Sequence, residues 1–297
     1  MGTSEDILNN LKKKGHRGST KVLQLPKHHE QQPLLPSEIS YVPELLGSAW
    51  IPRRNTGQTV FKRKFGALTF ITQSGVHEDL SPVGLPTGVI PRKILTRLCS
   101  LAILRNNPEI NVRSVAELLS DTNLTYNGQM VKRIRNQLLK LALCRVDIQF
   151  DSGKKKVRHF GRIFDQLELE IQDNQLTLLP NKIYFDKEFF DRILKEEKFG
   201  YFADELMEAK TSMQHDIYLW LIRRTGNLMV DDGYFLSYEI LHPQFANSPT
   251  QQMCDFRKRF KEALRAVVKI SGMRIDIERK GIRLFPPKQR KFRWKKF

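Results

Sequence analysis

From Gln251 to Ile270 the sequence QQMCDFRKRFKEALRAVVKI divides into two faces, and that division limits the possible folds more than any other feature. Wound at about 100° per residue, Met253, Phe256, Phe260, Leu264 and Val267 line up on one side. Lys258, Lys261, Arg265 and Lys269 fall on nearly the opposite side, flanked by Arg257 and Arg259. Exposed helix faces usually mix signs, with Glu–Lys pairs at i,i+4. Here only Asp255 and Glu262 interrupt the cations. The apolar stripe requires a protein core to lie against, and the opposite face suits a polyanion. The major groove of B-DNA, about 12 Å wide, admits one α-helix, Lys neutralises phosphates and Arg pairs bidentately with guanine. Asp255, near the start of the helix, either caps it or accepts from a cytosine, and capping is the simpler reading.

A hairpin is expected after this helix: RIDIE, a tight RKG turn and IRLF. It carries Arg274, Arg279, Lys280 and Arg283, and a basic tip at Arg279-Lys280-Gly281 suits phosphate or a minor groove. The plain alternative is a solvated turn, since turn tips are polar in any case. An earlier helix, Gln129–Cys144, repeats the design more weakly. Met130, Val131, Ile134, Leu138 and Leu141 recur at helical spacing, opposed by Gln129, Lys132, Arg133, Asn136 and Lys140 with no acid among them. The hairpin expected after it adds Lys154, Lys155, Lys156 and Arg158.

The whole chain has the same bias. Lys and Arg number 50 against 32 acidic residues, a formal net charge of +18, which draws a protein to polyanions: DNA, RNA or an anionic membrane surface. No stretch approaches the roughly 18 apolar residues of a membrane span, and the N-terminus lacks the apolar core of a signal peptide. The expected compartment is therefore the cytoplasm. Cys99, Cys144 and Cys254 stand far apart with no C-x-x-C spacing, and read as reduced thiols.

Signatures of catalysis are missing. The chain has no G-x-x-x-x-G-K-[ST] loop, no H-E-x-x-H and no G-x-S-x-G. The His-x-His pair that a nicking replicase would need is absent, and Asp231-Asp232-Gly233 reads as a turn. The expectation is a binding protein that is not an enzyme and uses no metal and no cofactor.

The organisation follows. Residues 1–59 mix Lys12, Lys13, Lys14, Arg17, Lys21 and Lys27 with Pro26, Pro33, Pro36, Pro43 and Pro52, and read as a basic arm with a short helix at Ser4–Lys14. Residues 60–80 read as a strand and 84–88 as a loop. A largely apolar helix Arg92–Arg105 follows, then one capped by Ser114 and Glu117, then Gln129–Cys144, then strands. A second round begins with helices Phe185–Lys198 and Met213–Arg224, a shorter helix near Tyr238–Phe245, and Gln251–Ile270 capped by Asn247-Ser248-Pro249-Thr250. Three helices and a hairpin, twice, give the expected class: α+β, two tandem winged-helix domains at 60–182 and 183–287. The first 59 residues and the basic tail 288–297 form flexible arms. One α+β domain with a mixed sheet is the alternative.

Six runs resemble the plasmid-encoded RepA replication initiators: GLPTGVIPRKILTRLCSLAI (84–103), NGQMVKRIRNQLLKLA (127–142), IYFDKEFFDRIL (183–194), HDIYLWLIRRT (215–225), FRKRFKEALRAV (256–267) and IRLFPP (282–287). The resemblance spans about residues 60–288 and leaves the arms uncovered. It implies a protein that binds repeated sequences (iterons) in the double-stranded DNA of a plasmid origin, mainly through its C-terminal winged helix. It further implies origin opening, recruitment of a host initiator and helicase, and dimers that repress while monomers initiate. A winged-helix transcriptional repressor without initiator activity would share every DNA contact.

Overall fold

A computed structural model of the protein describes residues 39–43, 46, 50–112, 127–151, 153, 156–168, 171–172, 175–176, 180–195, 198–226, 228 and 232–286. The helices expected at Ser4–Lys14 and Ser114, together with Lys154, Lys155 and the tail 288–297, lie outside these residues.

The chain begins with β1 (Ile39–Pro43), β2 (Val60–Phe65), β3 (Leu68–Gln73), α1 (Val89–Arg105), β4 (Glu109–Asn111) and α2 (Gly128–Leu143). Next come β5 (Arg145–Asp151), β6 (Lys156–Arg162), β7 (Phe164–Glu168), β8 (Ile171–Gln172), β9 (Gln175–Leu176) and β10 (Lys182–Phe185). Then follow α3 (Lys187–Lys195), β11 (Lys198–Phe202), α4 (Ala203–Met207) and α5 (Ser212–Gly226). Last are β12 (Tyr234–Ser237), α6 (Tyr238–Phe245), α7 (Met253–Ser271), β13 (Ile275–Ile277) and β14 (Gly281–Leu284).

The protein is α+β, with antiparallel sheets ordered β2-β3-β5-β6, β4-β10-β7 and β12-β14-β13, plus the pairs β1-β11 and β8-β9. α1 is buried as its composition demands: Ile94, Leu98, Cys99 and Ala102 are fully enclosed. A single apolar cluster runs from Val42 through α1, α2 and α5 to Phe256, Phe260 and Ile282, so the two halves of the chain share one core.

Three expectations need correction. The arm does not extend to residue 59. Ile39–Pro43 pairs along its length with β11, and Val42, Trp50 and Ile51 are buried. Proline bars this segment from helix but not from an extended edge strand. The strand expected over 60–80 is a hairpin, turned at Gly66, whose φ of 64° suits a residue without Cβ. The helix expected at Phe185–Lys198 stops at Lys195, and Lys198 opens β11.

Charged side chains bind the halves together. Arg92 of α1 grips Asp216 of α5 with two donors, Nε to Oδ1 at 2.7 Å and Nη2 to Oδ2 at 3.1 Å. Arg53 donates to the same carboxylate at 3.2 Å and to the carbonyl of Phe245. Arg63, whose neighbours Lys62 and Lys64 are exposed, is itself buried and donates to Gln244 O at 2.7 Å. Gln244 and Phe245 end α6, so two guanidiniums satisfy carbonyls that have no partner within the helix. Burial pulls Arg53 down to about 10 and Arg63 to about 9. Burial alone would raise the Asp216 carboxyl; Arg92 and Arg53 outweigh it and hold it below the usual carboxylate range.

Candidate nucleic-acid interface

α7 is held from one side. Phe256, Phe260, Leu264 and Val267 are fully buried. Phe260 meets Phe245 at 5.4 Å between ring centroids and Tyr238 edge-on at 6.4 Å, while Phe245 meets Trp220 of α5 at 5.2 Å. The helix ends at Gly272, whose φ of 64° gives a left-handed cap and whose N–H returns to Val268 O. The expected cap at 247–250 does not form. Gln252 stands at the N-cap with no side-chain bond, and Gln251 instead accepts from Asn247 N at 2.7 Å.

The cations of α7 separate into two groups. Lys258, Arg265 and Lys269 are exposed on the outer face. Arg257, Lys261 and Arg259 are half-buried. Arg257 pairs with Glu239 at 3.3 Å and lies over the Tyr238 ring, and Lys261 sits 5.3 Å from the same ring. Arg259 pairs with Asp255 at 2.8 Å, and Asp255 also accepts from Gln251 at 2.7 Å. Asp255 is thus occupied within the first turn, where the helix dipole favours an acid.

The hairpin after α7 forms as expected, with Ile275–Ile277 paired to Ile282–Leu284. Arg279 and Lys280 are exposed at its tip. The backbone there is fixed, because Tyr238 N donates to Lys280 O at 3.1 Å and Glu278 N to Gly281 O at 2.9 Å. Arg274 is exposed and stacks 4.0 Å from the Phe285 ring centroid. Arg283 is half-buried, paired with Glu278 at 3.0 Å and lying over Phe235.

α2 carries a second cationic face. Asn127 caps it by accepting from Met130 N at 2.8 Å, and Ile134, Leu138 and Leu141 are buried. Gln129, Lys132, Arg133 and Asn136 are exposed, and Lys140 is half-buried against the loop at Gly84. This helix packs on α1 and β7, whereas α7 packs on α5 and α6, so the two faces are built on separate supports.

Of a third basic surface, on the sheet β2-β3-β5-β6, only Arg158 belongs to the sequence-based expectations. Register places Lys64, Thr69, Gln149 and Arg158 in one cross-strand row, and Val60, Gln73, Arg145 and Arg162 in another on the same side. Lys62, Lys64, Arg158 and Arg162 are exposed there, and Arg145 pairs with Asp147 at 3.0 Å. The signal was the period-two alternation of Lys62 and Lys64 about Arg63, but only the register shows that β6 continues the stripe.

Among the described residues, no group of three or more His, Cys, Asp or Glu could hold a metal ion, and no helix is long and apolar enough to cross a membrane. Cys99 and Cys144 are buried, and burial pushes both thiols well up; Cys254 is exposed.

No protein-family model matches the chain, and no curated protein matches it. Solved structures do. A crystal structure of RctB domains 2-3 aligns with a TM-score of 0.53 at 13% identity, covering 81% of this chain and 96% of that one. A selenomethionine derivative of RctB domain 2 and domain 3 aligns with a TM-score of 0.53 at 12% identity, covering 82% and 94%. At such identity the likeness is one of fold, extending over both halves of the chain.

Proposed function

We propose that this protein is a replication initiator of a plasmid, which binds repeated sequences at the origin, promotes opening of the duplex and recruits the host initiator and helicase. The observation that carries the reading is the outer face of α7, where Lys258, Arg265 and Lys269 stand exposed opposite the fully buried Phe256, Phe260, Leu264 and Val267. Further support comes from the six runs similar to RepA initiators, which lie in both halves of the fold shared with RctB domains 2-3.

The site is read as two winged helices within 60–182 and 183–287. In the second, helix α5, strand β12, helices α6 and α7 and the β13-β14 hairpin follow in order, with strand order β12-β14-β13. In this reading α7 is the helix that enters the major groove and Arg279-Lys280 the wing tip that meets phosphate. α2 with the β5-β6 hairpin is the corresponding unit of the first. The protein works in the cytoplasm as a monomer that initiates, in equilibrium with a homodimer that represses its own promoter. It acts by binding and deforming DNA, without covalent chemistry.

Nuclease protection on the DNA flanking the gene tests this reading. Protection recurring at a repeated sequence is expected; uniform, sequence-independent protection would contradict it. A winged-helix repressor would give similar footprints, so the gene is also deleted from its plasmid. An initiator's loss abolishes replication, whereas a repressor's loss only raises expression. Incubation with supercoiled origin DNA and Mg²⁺ is expected to yield neither strand cleavage nor a covalent adduct.

A further inference from the structure

α7 carries two carboxylates, Asp255 and Glu262, and the structure treats them differently. Asp255 is held by Arg259 and Gln251. Around the same face Glu239 is paired with Arg257 and Glu278 with Arg283. Glu262 is exposed and, among the described residues, has neither an ion pair nor a hydrogen-bond partner. Its position makes this notable. Lys258 precedes it by four residues and Arg265 follows by three, both on the exposed stripe, and a Lys–Glu pair at i,i+4 is within ordinary reach on a helix. The pair is not made.

An unpaired carboxylate in the middle of a cationic stripe works against phosphate binding, because it is repelled by the charges its neighbours attract. Within a major groove that cost is offset only by donors on the base edges. Guanine presents the acceptors N7 and O6, and thymine presents the acceptor O4. Adenine offers its N6 amine beside the acceptor N7, which repels a carboxylate. Cytosine offers its N4 amine at the outer end of the pair's edge, with an acceptor, the O6 of its guanine partner, on one side only, whereas adenine N6 has acceptors on both.

We propose that Glu262 is a specificity-determining residue that accepts a hydrogen bond from cytosine N4, fixing a cytosine at one position of the recognised sequence. The proposal rests on the reading of α7 as the groove-binding helix. It moves base reading by an acid from Asp255, whose oxygens are engaged, to Glu262.

The test is selection of binding sites from a randomised duplex library by the full chain, comparing wild type with Glu262→Gln, Glu262→Ala and Arg265→Ala. Wild type should enrich one invariant cytosine in excess of about tenfold, the discrimination of one good base contact. Glu262→Gln should replace that cytosine by adenine, since a carboxamide pairs bidentately with adenine N6 and N7. Glu262→Ala should lose the preference at that position alone and bind random duplex more tightly than wild type. Unchanged thermal melting of both variants confirms that an exposed side chain was altered without disturbing the fold. Enrichment of the same cytosine by all Glu262 variants overturns the assignment and leaves the reading of α7 intact, provided Arg265→Ala weakens binding. If wild type enriches no sequence, or Arg265→Ala binds as wild type does, the groove-helix reading fails and the role of Glu262 fails with it.

Discussion

Arg92 and Asp216 lie 124 positions apart in the chain and meet in a buried, two-pronged ion pair with donor–acceptor distances of 2.7 and 3.1 Å. Arg92 belongs to the run GLPTGVIPRKILTRL and Asp216 to HDIYLWLIRRT, so two of the stretches that carry the family resemblance form a structural joint. Asp216→Ala leaves the Arg92 and Arg53 guanidiniums buried without their carboxylate. The expected loss is about 3–5 kcal/mol in denaturant unfolding, the usual cost of removing one partner of a buried pair. Arg92→Met combined with Asp216→Leu should cost less than the sum of the single changes. Strict additivity would show that the two side chains are not coupled.

Stability should depend on pH through two groups of opposite sign. Burial pulls His215 down to about 3, its Nε2 lying 3.4 Å from Thr96 Oγ1. The folded state therefore favours neutral imidazole, and stability falls as pH drops from about 6.5, the unfolded value, towards 3. Burial pushes Glu205 up to about 7, against the hydrogen bond from Tyr218 that lowers it. Its protonated form is favoured on folding, so its contribution is full below the unfolded value of about 4.3 and is lost as pH rises through 7. His215→Leu should flatten the acid limb of a stability–pH curve, and Glu205→Gln should raise stability at pH 8 relative to wild type. Parallel curves for wild type and both variants would contradict these assignments.

How much of this was legible in the sequence depended on the range of the interaction. The helices α1, α2, α5 and α7 follow from periodic apolar spacing, a local property, and their ends fall within a few residues of those expected. The outward placement of Lys258, Arg265 and Lys269 followed from the same geometry. The partners of Arg257 and Arg283 were not legible. The Asp255–Arg259 pair was not expected either, with Asp255 read as a cap and Arg259 as a DNA-facing flank, although its i,i+4 spacing is a signal that could have shown it. Arg63 shows the limit most plainly: it sits between two lysines in a strand and looks like surface, yet it reaches a carbonyl 181 positions away.

The folded segment before residue 59 gives another prediction. Trp50 is 2% exposed, and the Trp50 carbonyl lies 3.4 Å from Thr72 Oγ1. Trp50→Ala should destabilise the whole protein by about 3–5 kcal/mol, as for large buried aromatics generally. A change within 0.5 kcal/mol would mean the segment is an arm after all.

Close approach of backbones fixes the last hairpin. A Cβ at Gly281 would lie 2.1 Å from Leu236 O, so β12 and β14 cannot keep their spacing around an alanine. Gly281→Ala is expected to cost about 1–3 kcal/mol, the usual range for overpacking, and to weaken DNA binding by displacing the tip at Arg279-Lys280. An unaltered denaturation midpoint would show that the strands are not so closely apposed.

The account depends most on whether the exposed stripe of α7 meets phosphate, and equilibrium binding to the origin duplex across a salt series measures this directly. With Lys258→Ala and Arg265→Ala combined, the slope of log affinity against log salt should fall by about two units, one for each lost phosphate contact, with thermal melting unchanged. Arg259→Ala, which removes a cation already paired with Asp255, should change the slope far less. A double variant with the slope and affinity of wild type would contradict the account.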